Sequence, residues 1–176
     1  MTVPTPLRRL LPASAAPRRM LLLTAVLCAL LAAGLLWWRG GADRVDPPRP
    51  DAGGAALCRA LDRALPRDLQ GRARRDPAPA SPYTAAWASS PRTVLECGVP
   101  VPPRLERPRP SDEAAEVNGV DWLVEELGGG DYRFTTIERR TTVQVTVRAG
   151  AYPNATDVLP PLSDAVARTV PSRFTP

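Results

Sequence analysis

The chain has 176 residues, 23 arginines and no lysine or histidine, and it carries a formal charge of +5. Without histidine, Ser-His-Asp and Cys-His catalysis, histidine general bases and histidine metal ligands are all excluded. The charge is uneven: residues 1–38 hold four arginines and no acid, residues 39–51 hold three of each, and residues 52–176 hold 16 arginines against 15 acids. The larger part of the chain is therefore close to neutral, which argues against a nucleic-acid partner.

Residues 1–19 form a polar, proline-dotted tail with Arg8, Arg9, Arg18 and Arg19. The run that follows, Met20 to Trp38, contains no charge and no proline. Its nineteen residues cover about 28 Å as a helix, close to the roughly 30 Å hydrocarbon core of a bilayer. Trp37 and Trp38 stand where an interfacial aromatic belt belongs, and Arg39 follows directly. A cleaved signal peptide wants a shorter apolar core ending in small residues. Ala32-Ala33-Gly34 is the fair candidate site, but cutting there leaves Leu-Leu-Trp-Trp as a new amino terminus. A retained signal anchor is the expectation, with the arginine-rich end inside and the bulk of the chain outside. Leu27 before Cys28 is too large for a lipoprotein signal, so Cys28 reads as a small membrane-buried residue.

Residues 39–54 are rich in proline and glycine and read as a linker. The remaining stretch, 55–176, is long enough for one ordinary core. It opens on a helix expected over Gly54–Leu65, with Leu57, Leu61 and Leu65 on one face, Cys58 at its edge and Pro66 as the stop. Residues 67–82, with Arg67, Arg72, Arg74 and Arg75, read as a solvated loop. A strand is expected over Thr93–Val99, ended by Pro100, Pro102 and Pro103, with irregular chain to residue 111.

Asn118-Gly119 signals a turn, and Val120, Trp122 and Val124 then share one face of a strand. Gly128-Gly129-Gly130-Asp131 marks a second turn. Tyr132, Phe134 and Thr136 alternate on the next strand, and Val143, Val145 and Val147 on another, with Glu138, Arg139 and Arg140 between them. A last helix is expected over about Leu162–Val170, with Leu162, Ala165, Val166 and Thr169 on one side and Pro171 at its end. This order predicts an α+β fold: one transmembrane helix, then a small two-layer domain with an antiparallel sheet of about four strands and two helices on one face.

With that domain outside, Cys58 and Cys97 are its only two thiols, and an even count in an oxidising compartment reads as a disulfide. The rival, a catalytic or metal-binding pair, lacks a histidine and any further cysteine. Residues 112–131 hold seven acids and no arginine. They lack the spacing of a calcium loop and read as a solvated acidic loop and strand edge, so neither a metal nor a cofactor is expected. Asp121 and Trp122, with Arg139 downstream, form the best single constellation. Its plain reading is an Asp–Arg pair bracing the sheet; its sharper one is a pocket with Trp122 as platform and Arg139 as anion ligand. Asn154-Ala155-Thr156 matches a glycosylation sequon, a weak signal.

The segments LCRALDRALP (57–66), AAW (85–87), VLECGV (94–99), VNGVDW (117–122), FTTIER (134–139) and VQVTV (143–147) lie in order behind the apolar run. Together they resemble an actinobacterial membrane-anchored family known as domain of unknown function 3515. The family commonly has glycine where this chain has Ala88, arginine where it has Glu96, and proline where it has Arg148. The resemblance implies the anchor and the Cys58–Cys97 bond, and it assigns no activity. The expected function is a non-enzymatic envelope module that binds another protein or a wall polymer. A small-ligand or metal sensor and a carboxylate-based hydrolase are the alternatives.

Overall fold

The computed structural model of the chain describes residues 15–42, 44–106 and 113–174. It divides into two compact units, residues 1–43 and 44–176.

The first unit contributes one helix, α1 (Ala15–Ala42). Its described apolar side chains from Met20 to Leu31 are exposed, the large ones by 57 to 71%. The expected aromatic belt of Trp37, Trp38 and Arg39 lies outside the described side chains, as do residues 1–14 of the tail. Among the described residues no helix is long and apolar enough to cross a membrane.

The second unit begins earlier than the linker reading implies. Val45 N–H donates to the Ala78 carbonyl at 3.0 Å, and Arg44 bridges Ala78. Asp51 then caps α2 (Ala52–Ala64): its carboxylate accepts from Gly54 N–H at 2.6 Å. Residues 44–51 are thus held by the domain at both ends. The buried stripe of α2 is Gly54, Cys58 and Leu61, continued by Leu65. It is centred one residue away from the expected leucine face, which leaves Leu57 half-buried.

Residues 67–82 are more structured than a solvated loop. They hold a small hairpin, β1 (Asp68–Leu69) and β2 (Arg72–Ala73), around the positive-φ pair Gln70-Gly71. Leu69 is fully buried. Arg74 donates to the Asp62 carboxylate, to the Asp62 carbonyl at 2.9 Å and to Asp76 at 2.8 Å. Burial works against the charge of Arg74, but these hydrogen bonds outweigh it and raise the guanidinium pKa further.

The main sheet comprises β3 (Thr84–Trp87), β4 (Thr93–Cys97), β5 (Glu113–Val117), β6 (Val120–Gly128), β7 (Asp131–Thr136) and β8 (Val143–Val147). Its order is β3-β4-β8-β7-β6-β5, and every pairing is antiparallel. The sheet has six strands rather than about four. β3 and β5 are the additions; β5 is a short, largely exposed edge whose alternation is too weak to read as a strand. The Asn118-Gly119 turn, both residues at positive φ, closes β5 onto β6 as a two-residue hairpin.

A four-residue helical turn, α3 (Pro103–Glu106), follows β4. A 3₁₀ turn at Ala155–Val158 leads into α4 (Leu159–Thr169). α4 starts earlier than expected because Pro160 and Pro161 occupy its first turn, where no N–H partner is required. α2 and α4 pack on the sheet face that carries Leu95, Cys97, Trp122, Phe134 and Val145, and the core lies between these layers. The opposite face is more polar. Glu125, only 6% exposed, meets Arg104 of α3 there at 3.6 Å.

Candidate functional site

Cys58 of α2 and Cys97 of β4 form a disulfide, with Cα atoms 5.6 Å apart. Both are buried, and the crevice beside them has a volume of about 0 Å³. The bond ties helix layer to sheet and offers no accessible thiol; Cys28 is the free cysteine.

The structure does not gather Asp121, Trp122 and Arg139 into one pocket. Trp122 is fully buried, and its indole N–H donates to Ser163 Oγ of α4 at 2.9 Å. Alternation along β6 places Asp121 on the other face, where its side chain is exposed. Asp121 meets the β7 end through its backbone carbonyl, which accepts from Ile137 N–H at 2.8 Å. Among the described residues no ion pair joins Asp121 to Arg139. The Arg139 guanidinium instead donates to the Val170 carbonyl at 3.1 Å and to the Gly119 carbonyl. It closes the C-terminal end of α4 and the β5–β6 turn together, a favourable position for a cation.

The described part of the acidic segment is dispersed along β5, β6 and the glycine turn. Asp131 accepts from Ala149 N–H at 2.8 Å and from Arg148 at 2.6 Å; the backbone hydrogen bond first, then the guanidinium, hold its carboxyl below the usual range. Among the described residues no group of three or more acidic or cysteine side chains is placed to hold a metal ion. Asp112 lies outside the described residues.

The structure does assemble a site that no sequence segment announces. A cleft of about 390 Å³ opens at one end of the sheet, lined by Arg49, Arg140 and Arg173, with Thr141, Thr142 and the Gly98–Val101 loop between them. Three separate stretches deliver these arginines. Pro50 lies against Gly98, where a Cβ would stand 2.4 Å from the proline Cβ, and this contact sets Arg49 beside the β4 exit. Gly98 has φ +84° and donates its N–H to the Thr142 carbonyl at 2.8 Å. Arg140 N–H donates to the Pro171 carbonyl at 3.0 Å, and Arg173 N–H to the Glu138 carbonyl at 2.8 Å. The β7–β8 loop and the C-terminal segment are therefore laced into a short ladder that presents both side chains.

Asp51 is the one acid lining the cleft among the described residues, and its carboxylate is committed to the cap of α2. Arg49 and Arg140 are exposed, and their side chains have no hydrogen bond or ion pair among the described residues. Arg173 uses one guanidinium N–H on the Arg139 carbonyl at 2.8 Å. Three guanidiniums with spare donors round one opening make a concave cationic surface suited to carboxylate or phosphate oxygens.

A model of the family described as "Protein of unknown function (DUF3515)" matches residues 21–174. The chain belongs to this family. The DUF3515 match spans most of α1 and nearly all of the second unit, so it includes both cysteines of the disulfide and all three cleft arginines. No curated protein and no solved structure shows a significant match to the chain.

Proposed function

We propose that this DUF3515 protein is a single-pass envelope protein whose outer domain is a non-enzymatic binding module for an anionic envelope partner, a wall polymer or an acidic protein surface. The observation that carries the binding reading is the cleft, with three guanidiniums and one already engaged carboxylate. The domain around it is near neutral, so this cationic surface is local rather than a general basic coat.

The placement outside the membrane rests on chemistry of a different kind. The uncharged run Met20–Trp38, with arginines before it and the exposed apolar side chains of α1, suits an anchor with its amino terminus inside. The buried Cys58–Cys97 bond suits an oxidising compartment. A carboxylate-based hydrolase would need two free acids facing each other across an opening. The cleft offers only Asp51 among the described residues, and that carboxylate is occupied.

The test uses the full chain in neutral-lipid nanodiscs, titrated with polyphosphate and with polyglutamate. Binding is expected to weaken with salt and to fall about tenfold or more in Arg140→Ala/Arg173→Ala. Equal binding by parent and variant, or none by the parent, would overturn the reading. In intact cells, protease added from outside should remove the domain and leave α1 behind. Full protection would overturn the topology.

A further inference from the structure

The cationic cleft does not end at its arginines. Val101, Thr142 and Arg173 also line a second opening of about 240 Å³, whose other walls include Leu105, Ile137 and Phe174. Among the described residues after 43, three large apolar side chains are exposed: Val101 (40%), Leu127 (41%) and Phe174 (72%). Two of the three line this one groove. Scattered exposed apolar residues need no explanation; two lining one groove, beside a patch of positive charge, form a site of mixed character. Glu138, exposed on the rim, is the one acid that lines the groove among the described residues.

We infer that cleft and groove together seat an anionic membrane lipid, with its phosphate against Arg140 and Arg173 and the start of one chain against Val101, Leu105 and Phe174. This rests on the anion-binding reading proposed above and on the anchor. Charge complementarity selects the headgroup, since a phosphate diester is satisfied by guanidinium donors. The apolar walls select an amphiphile over a plain polyanion, which would leave Val101 and Phe174 bare to water. The anchor proposed above supplies the source, since a chain held in a bilayer is surrounded by such lipids.

The experiment places the full chain in nanodiscs of brominated phosphatidylcholine, alone or mixed with phosphatidylglycerol brominated in the same way. Phe174→Trp is the reporter, its added emission read against the parent protein; Val101→Trp in the same groove is the second reporter should the first fail to fold. The added emission is expected to shift blue and be quenched only when phosphatidylglycerol is present. That response should disappear in Arg140→Ala/Arg173→Ala. Equal quenching in neutral discs, or no quenching in either, would overturn the inference. Polyphosphate titration separates the two levels. If polyphosphate binds the cleft while the reporter stays unquenched, the lipid assignment falls and the anion site stands. If neither responds, both fall.

Discussion

Single residues decide how the cleft is built. Gly98 combines a left-handed backbone with the closest approach to Pro50, so a side chain there is wrong on both counts. Gly98→Ala is expected to cost about 2 kcal/mol or more, from the φ penalty and the steric displacement of Pro50. Denaturant unfolding of the two proteins checks it, and a cost below about 0.5 kcal/mol would show that residues 44–51 readily lift away. Trp122 holds the other end of the core, with its indole N–H on Ser163. Trp122→Phe keeps most of the apolar volume but leaves the Ser163 hydroxyl without its partner, and should cost about 1–3 kcal/mol. Ligand binding at the cleft should survive Trp122→Phe at temperatures where the variant remains folded, and weaken in Gly98→Ala, which displaces Pro50 and with it Arg49.

At the scale of elements, the sheet centre was legible and its margins were not. Alternation of Val143, Val145 and Val147 is the direct imprint of one buried and one wetter face and identifies β8, whereas Tyr132, Phe134 and Thr136 identify β7 although its Phe134–Thr136 end is buried on both faces. β5 carries Glu113, Ala114, Ala115 and Glu116, and a mostly exposed edge has little reason to alternate. The signal that could have found it was Asn118-Gly119, because a two-residue turn of that type requires a strand on both sides. The α2 stripe was misplaced because Gly54 and Cys58, small and weakly hydrophobic, hold the packed face while Leu57 does not.

The disulfide couples α2 to β4 across 39 residues of chain. Its removal in Cys58→Ala/Cys97→Ala should lower stability by about 2–4 kcal/mol, read as a fall in the urea midpoint. Glu96, the neighbour of Cys97, points to the opposite face of the sheet. Burial raises its carboxyl pKa, and the attraction of Arg133 only partly offsets this. The folded state therefore holds the Glu96 proton more tightly than the unfolded chain does, and this contribution to stability is lost as pH rises through the folded pKa. Glu96→Gln should raise Tm at neutral pH and lose that advantage below about pH 4, where the unfolded carboxyl is also protonated. An equal gain at every pH would assign the effect to packing rather than charge.

For the whole molecule, charge and apolarity are sorted along the chain rather than blended. Four arginines stand before Met20, the apolar run follows, and the remainder is close to neutral with one cationic opening. The proposed anchor predicts that the chain stays with membranes through an alkaline carbonate wash and is released only by detergent. Recovery in the wash supernatant would exclude a spanning helix. The candidate site was the least legible part, for a physical reason. Arg49, Arg140 and Arg173 are far apart in sequence, and no spacing relates them. They meet only because the Pro50–Gly98 contact and the ladder between residues 138–140 and 171–173 bring three chain segments to one sheet end. Asp121, Trp122 and Arg139, nearer in sequence, are divided by strand alternation and a helix end.

That ladder has a bearing on how the protein is handled. The Arg139–Ser172 bridge places the last described residues at the rim of both openings. A bulky label attached at Phe174 would therefore hang over the surface whose binding it was meant to report. The Gly128–Gly130 turn, where none of the three glycines has a crowded backbone except Gly130 against Ala149, lines neither opening. An epitope inserted between Gly128 and Gly129 would label the protein and leave both openings uncovered.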